Sequence, residues 1–355
     1  MRIVYVIGTR PNFVKTAPVI AALRKRLPEG RHTIVHTGQH YDRTMSEVFL
    51  EELGVPPPDH MLEVGSGSHA EQTARTMERL EPVLAEEHPD LVMVPGDVNS
   101  TLAAVLTAVK MQIPVAHIES GLRSFDRTMP EEINRIVADE FSEYLFLHSD
   151  EAIENLRAEG IGEERMHFVG NTMIDTLVAL EGRFRAAESA AKLGVEPGRY
   201  MLVTLHRPAL VDGDLLPETV QRMADLAREM PVVFPVHPRT RKKMEAISTE
   251  HPGLLLSEPL GYVDFLSLIA DAGAVLTDSG GIQEETTYLG IPCFTLRDNT
   301  ERPVTIRAGT NTLLGLDPAA IAGIPAALAE RPPAPTEPPP LWDGRAAERI
   351  ADTLT

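Results

Sequence analysis

The run Ala274-Val275-Leu276-Thr277-Asp278-Ser279-Gly280-Gly281-Ile282-Gln283-Glu284-Glu285 joins a short apolar segment to a glycine turn and the start of a helical segment. An apolar stretch without polar alternation reads as a strand buried on both faces, the kind a parallel sheet requires. The glycines after Ser279 let backbone N–H groups approach a phosphate, and the helix N-terminus favours negative charge there. The dipole of one first turn contributes about 0.3–1 kcal/mol. The same residues read equally as an ordinary serine-capped turn.

Units of this kind recur outward from that run. Before it lie apolar runs at Ile3–Ile7, Thr33–Thr37, Leu91–Val94, Val115–Ile118, Tyr144–Leu147, His167–Val169, Met201–Leu205, Val232–Val236 and Leu254–Leu256, and Cys293–Leu296 follows it. Helix-like stretches separate them, among them Pro18–Arg26, Ala70–Glu87, Thr101–Met111 and Glu218–Glu229. Strand-helix alternation predicts an α/β fold with doubly wound parallel sheets. Ile174 to Gly198 holds no strand candidate, ends in Glu196-Pro197-Gly198 and reads as a connector. The expected domains are therefore 1–175 and 176–339. A Pro-rich stretch, Arg331–Pro340, precedes an amphipathic segment, Gly344–Leu354. That segment is expected to dock away from its neighbours in sequence, which assigns 340–355 to the N-terminal domain as a returning helix.

The chain has 355 residues, a length that suits two domains, and 43% of them are hydrophobic. Its 52 acidic against 33 basic residues give a net charge of −19. That excess argues against nucleic acid or an anionic membrane as a partner. A single cysteine, Cys293, excludes a disulfide framework within the chain and suits a reducing compartment. The apolar start Ile3–Ile7 is too short for a signal sequence, and no run approaches the roughly 18 apolar residues of a membrane span. A cytoplasmic protein is expected.

Ligands of open parallel sheets bind beyond the carboxyl ends of the strands. The polar groups there are Gly8-Thr9-Arg10-Pro11 with Lys15, Gly96-Asp97, Glu119 to Arg123, His206-Arg207, and Asp278 to Gly281. All can face one crevice if two sheets point their carboxyl ends at each other. Arg10 and Lys15 suit a diphosphate, or equally a solvated surface. Asp97 and Glu119 follow buried strands, where an idle charge is costly. Asp97 also reads as a helix cap, and Glu131, after Pro130, as dipole complementation in a first turn. His206 reads as a catalytic group or a packed core histidine; His237 reads similarly but more weakly. Gly8 alone is no GxGxxG fingerprint, and Walker, GxSxG, HExxH and paired-cysteine patterns are absent, which argues against NAD, ATP, α/β-hydrolase and zinc sites.

Taken in order, Gly8-Thr9-Arg10-Pro11 with Lys15, Gly96-Asp97, His117-Ile118-Glu119-Ser120-Gly121-Leu122-Arg123, Pro130-Glu131-Glu132-Ile133-Asn134-Arg135, Thr204-Leu205-His206-Arg207, Thr277 to Glu285 and Thr300-Glu301-Arg302-Pro303 form one set. This set resembles the non-hydrolysing UDP-N-acetylglucosamine 2-epimerases across essentially the whole chain. The resemblance implies two Rossmann-like domains facing across a cleft, as in GT-B glycosyltransferases. It implies a homodimer, no cofactor and no metal. It implies Asp97, Glu119, Glu131 and His206 as catalytic residues. It places Arg10, Lys15, Ser279, Gly280, Gly281 and Arg302 around the nucleotide and phosphates, Glu285 at the ribose, and Leu260 and Phe265 at the uracil. Two stretches depart from the family pattern. His206-Arg207 is followed by Pro208-Ala209-Leu210 rather than Glu-Asn, and Gln39 is followed by His40-Tyr41-Asp42 where some members carry a second, activating nucleotide-sugar site.

The chemistry implied is elimination of UDP to 2-acetamidoglucal followed by re-addition, which needs acid–base groups near both faces of C2. It also needs support for the departing diphosphate and a closed site. The alternatives are a GT-B glycosyltransferase, a hydrolysing epimerase, an epimerase of a related UDP-2-acetamido sugar, and a silent UDP-sugar sensor. Thr101–Met111 reads as interface or core.

Overall fold

In the computed structural model, which describes residues 1–38, 49–236, 238–244, 247 and 251–355, the described strands form two sheets that are parallel throughout. Gln39, His40, Tyr41, Asp42 and His237 lie outside the described residues. The chain divides into unit 1, Met1–Ala179 with Pro340–Thr355, and unit 2, Leu180–Pro339.

Unit 1 contains β1 (Arg2–Ile7), β2 (Arg31–His36), β3 (His60–Met61), β4 (Leu91–Pro95), β5 (Val115–Ser120), β6 (Tyr144–Leu147) and β7 (Met166–Phe168), in the order β3-β2-β1-β4-β5-β6-β7. Unit 2 contains β8 (Met201–Thr204), β9 (Val232–Pro235), β10 (Leu254–Ser257), β11 (Ala274–Thr277), β12 (Cys293–Thr295) and β13 (Asn311–Leu313), in the order β10-β9-β8-β11-β12-β13. Each sheet therefore reverses direction once, between β1 and β4 and between β8 and β11. These are the topological switch points at which doubly wound sheets bind ligands.

Continuous burial explains why the strand runs were apolar. Ile3, Tyr5, Ile7, Leu91, Met93, Ala116 and Phe146 share one core of unit 1, and Val4, Val6, Val35, Val92, Val94 and Val115 share the opposite one. Met201, Val203, Val232, Phe234, Ala274 and Leu276 do the same in unit 2. Each fully buried aliphatic side chain contributes about 1.5–3 kcal/mol relative to exposure.

Several elements differ from the sequence reading. The first helix begins at Arg10 rather than Pro18 and runs to Arg26 with Pro18 inside it. Proline cannot donate to the carbonyl four residues back, which is that of Val14. Thr176 Oγ1 donates to this carbonyl instead, at 2.7 Å. The expected connector after Ile174 begins inside a helix, Thr172–Ala186, and the division between units falls within it. The helix Asn99–Lys110 is core: Ala103, Ala104, Val105 and Ala108 are all buried.

The terminal helix Ala346–Leu354 packs in unit 1 against Arg10–Arg26. Asp175 accepts from the amides of Ala346 (3.0 Å) and Ala347 (2.7 Å), and Trp342 Nε1 donates to the His148 carbonyl (2.8 Å). Burial pushes the Asp175 carboxyl up to about 6, even with those two amides favouring its ionised form. No helix among the described residues is long and apolar enough to cross a membrane.

Candidate active site

The polar ends of β1, β4 and β5 meet at the switch point of unit 1. Gly8 is needed there because a Cβ would lie 2.3 Å from Ser100 Oγ. Asn12, one turn into the first helix, accepts from the amides of Gly8 (3.3 Å) and Thr9 (3.1 Å) and donates to the Pro95 carbonyl (3.3 Å), tying the β1 turn to the end of β4. Arg10 is exposed at the first helical position. Lys15 is buried and forms an ion pair with Glu119, so the structure places it among the acids rather than as an open cation.

Glu119 sits in the left-handed region, at φ +67, where the pairing of β5 with β6 shifts register between Ile118 and Ser120. A bulge re-aims the side chain, and a non-glycine residue held there costs about 1–3 kcal/mol. The sequence ended this strand at Ile118; the strand instead continues to Ser120 through the bulge. Gly96, at φ +62, passes beside the pair: a Cβ on it would lie 3.2 Å from Lys15 Nζ and 3.4 Å from Glu119 Oε2.

Asp97 follows directly and forms an ion pair with Arg135 while remaining partly open, its side chain 25% exposed. Arg135 also holds Glu132 at 2.5 Å, and Glu132 in turn accepts from the amides of Ser124 and Phe125, both at 2.9 Å. Asn134 Nδ2 donates to the Asp97 carbonyl at 2.9 Å. Glu131 stands in the first turn of the same helix, Pro130–Phe141, half-buried and without an ion pair among the described residues. Asp97 and Glu119 thus each face a basic partner and Glu131 faces none. Carboxylates in unlike surroundings are what separate acid and base roles require.

The switch point of unit 2 is built differently. His206, just past β8, is not a core histidine: its side chain is 62% exposed. Its Nδ1 lies 2.9 Å from Oδ1 of Asp278, a fully buried residue just past β11. Asp278 Oδ2 accepts from the amides of His206 (2.9 Å) and Arg207 (2.7 Å). Burial alone would push this carboxyl up, but the His206 ring and these amides outweigh it and hold it below its ordinary value. The arrangement fixes the ring and leaves Nε2 as its free nitrogen.

Ser279 precedes the helix Gly280–Leu289, and its side chain caps no amide of the first turn. The ordinary serine cap is therefore not what is built, and the Ser279 side chain leaves the first-turn N–H groups to other acceptors. Gly280 is required by Arg302, whose Nη1 would lie 2.3 Å from a Cβ on it. Arg302 is buried between Glu284 (3.0 Å) and Glu301 (2.6 Å), so its charge is already committed. Glu285 is buried, accepts from the Tyr262 hydroxyl at 2.7 Å through Oε1, and has no partner on Oε2 among the described residues. Burial raises its carboxyl to about 7; the Tyr262 hydrogen bond works against the shift and the charge of Glu284 adds to it. Phe265 lies one turn beyond Tyr262 in the helix Tyr262–Ala270, and Leu260 precedes that helix; both are half-buried.

Arg135 and Tyr262 were not among the residues singled out from sequence, and Asp278 entered only as one of the polar groups beyond a strand end. Tyr262 had a signal, since it lies three residues before Phe265 on one helix face. Asp278 and Arg135 had only their place inside the quoted motifs.

A family model described as UDP-N-acetylglucosamine 2-epimerase matches residues 22–355. The chain is 40% identical over 366 residues to the UDP-N-acetylglucosamine 2-epimerase of Methanocaldococcus jannaschii, covering 100% of this chain and 99% of that one. It is 41% identical over 321 residues to the UDP-2,3-diacetamido-2,3-dideoxy-D-glucuronate 2-epimerase of Pseudomonas aeruginosa, covering 89% and 88%. The crystal structure of the M. jannaschii UDP-GlcNAc 2-epimerase in complex with UDP-GlcNAc and UDP superposes with a TM-score of 0.89 at 38% identity, covering 100% and 99%.

Proposed function

The chain belongs to the UDP-N-acetylglucosamine 2-epimerase family, and from that premise we propose that it interconverts UDP-GlcNAc and UDP-ManNAc without hydrolysis. The observation that carries this reading is the pairing of Asp97 and Glu119 with separate cations at one switch point. The hydrogen on C2 has no adjacent carbonyl, so its removal must be coupled to departure of UDP from C1. A base takes the C2 proton, the C–H electrons form the C1–C2 double bond, and the C1–O electrons leave with UDP. Return of UDP oxygen to C1 and of a proton to the opposite face of C2 completes epimerisation. The two faces call for different acid–base groups, drawn from Asp97, Glu119 and Glu131.

Residues 1–175 and 340–355, all within unit 1, supply the acids in this reading, and residues 176–339 hold the nucleotide. The open amides after Ser279 take the diphosphate, with Arg10 and the free Nε2 of His206 assisting its departure. Glu285 Oε2 accepts from the ribose hydroxyls, and Leu260 and Phe265 pack on uracil. Lys15 and Arg302 act by fixing Glu119 and the Gly280 turn.

NMR of UDP-GlcNAc with the protein in D2O tests the reading: UDP-ManNAc should form carrying deuterium at C2, and product without label would sink the mechanism. A second reading, a related UDP-2-acetamido sugar as substrate, is favoured by the 41% identity to the diacetamido-glucuronate epimerase. Parallel assays on both sugars decide between them. A homodimer in the cytoplasm completes the proposal. Ile133 and Phe141 leave an apolar, exposed stripe on the helix Pro130–Phe141 that suits a second copy, and light scattering in solution tests it.

A further inference from the structure

Among the buried polar groups of unit 1, one histidine touches every element that carries a proposed catalytic acid. His117 lies in the middle of β5, completely buried, two residues before Glu119. Its Nε2 is 2.7 Å from the carbonyl of Gly96, the residue before Asp97. A carbonyl oxygen only accepts, so Nε2 donates. Its Nδ1 is 2.7 Å from Oδ1 of Asp139. Asp139 lies on the helix Pro130–Phe141, one turn after Arg135 and about two turns after Glu131. Oδ2 of Asp139 accepts from the Gly121 amide (3.0 Å) and from Arg123 Nη1 (2.7 Å), and Arg123 is gripped by both oxygens of Glu159 at 2.7 and 2.5 Å.

Such a chain is an expensive way to fill the middle of a sheet. Replacing a buried ionic network by apolar residues of similar volume is often neutral or stabilising. What an apolar residue could not do is fix the orientation of the Gly96 carbonyl. Gly96 has no side chain to restrain it and sits at φ +62, and the peptide leaving it sets where Asp97 begins. We propose that the His117–Asp139 pair is a buried strut that positions Asp97, Glu119 and Glu131 relative to one another, with His117 acting as a positioning residue for Asp97 through the Gly96 carbonyl. The proposal rests on the epimerase reading of those three acids.

Two substitutions split the two ends of the ring. His117→Gln keeps an amide N–H near the position of Nε2 and so keeps the donor to Gly96. His117→Asn keeps a polar group near Nδ1, facing Asp139, and loses the donor to Gly96. With UDP-GlcNAc, His117→Asn should lower kcat about 100-fold, the scale expected of a 1 Å misplacement, with KM and UDP affinity within about twofold of the parent, whereas His117→Gln should recover at least about tenfold of that loss. A merely structural histidine would give equal losses in both variants, and that result, or near-parental kcat in His117→Asn, overturns the strut. Should His117→Asn fail to fold, Asp139→Asn serves: it offers one accepting oxygen where the carboxylate offers two, so it cannot serve both His117 Nδ1 and the Gly121–Arg123 side; kcat should fall while UDP binding persists, and an unchanged kcat overturns the proposal. Amide hydrogen exchange at residues 96–98 reads the strut without turnover. It should accelerate in His117→Asn and not in His117→Gln; unchanged exchange in both overturns the strut. A parent protein that puts no deuterium on C2 defeats the epimerase reading, and the exchange result still decides the strut.

Discussion

At the switch point of unit 1, Asp97 and Glu119 each face a basic side chain, and the backbone beside them is forced into the left-handed region at Gly96 and Glu119. At the switch point of unit 2, the polar groups are left open: uncapped amides begin the helix Gly280–Leu289, Glu285 keeps one oxygen without a partner among the described residues, and His206 is largely exposed. The two sheets reverse at equivalent places in their strand order, so the difference lies in the residues just past the strand ends. Strain and paired charge suit groups that must hold a geometry while protons move. Open donors and acceptors suit a ligand that arrives and leaves. The proposed reading puts chemistry in unit 1 and recognition in unit 2, and it breaks where a substitution in one unit produces the other unit's effect.

Asp97→Asn should produce the largest effect. The substitution keeps volume and a hydrogen-bond acceptor for Arg135 but removes the proton-transfer group. Positioned acid–base groups contribute about 10²–10⁴-fold, so kcat should fall by about 10³ with UDP affinity retained. Deuterium incorporation at C2 and UDP calorimetry read the two quantities separately. A change in UDP affinity with kcat preserved would reverse the assignment of the units.

Asp278→Asn should come next and sharpen the boundary between the two roles. Asp278 holds His206 through Nδ1 and the backbone through two amides. An asparagine puts a neutral amide where the Asp278 carboxylate faces Nδ1, so the charge that holds the ring in place toward the departing diphosphate is lost. A kcat loss of about 100-fold with KM little changed is expected, since in the proposed mechanism the ring acts on the departing group rather than on binding. A loss confined to KM would make His206 a simple contact for the nucleotide.

The strands of both switch points were legible because parallel strands are buried on both faces and leave continuous apolar runs. β3 (His60–Met61) and β13 (Asn311–Leu313) were not, being short edge strands of polar character. Pro18 concealed the start of the first helix, because the partner that compensates it, Thr176, is 162 residues away from the carbonyl it satisfies. The site divides similarly. Asp97, Glu119 and His206 stood out as polar groups beside strand ends and Glu131 as a first-turn acid, whereas Glu285 was marked only by the family resemblance. Their supports did not: Asp278 meets His206 across 72 residues and Arg135 meets Asp97 across 38. No local pattern marks which buried acid will hold which histidine. The commitment of Lys15 to Glu119 is likewise a product of the bulge at the end of β5, which the sequence placed one residue beyond a finished strand.

The smallest effect separates recognition from folding within unit 2, through the pH response of Glu285. Its carboxyl is raised to about 7 by burial, against an ordinary value of 4.5. The native protein therefore holds this proton over a range in which the unfolded chain has lost it. The corresponding stability is fully present below the ordinary carboxyl range and is lost as pH rises through about 7. Nucleotide binding should run the other way, because ribose hydroxyls need an ionised acceptor at Oε2. In the Asp97→Asn background, where the sugar is not turned over, affinity for UDP-GlcNAc should weaken by about threefold to tenfold between pH 7.5 and 6. Glu285→Gln should flatten both slopes, read by calorimetry for binding and by denaturant titration for stability. Parallel slopes, with binding and stability falling together, would make Glu285 a structural acid and leave the open amides at Ser279–Gly281 as the recognition element of unit 2.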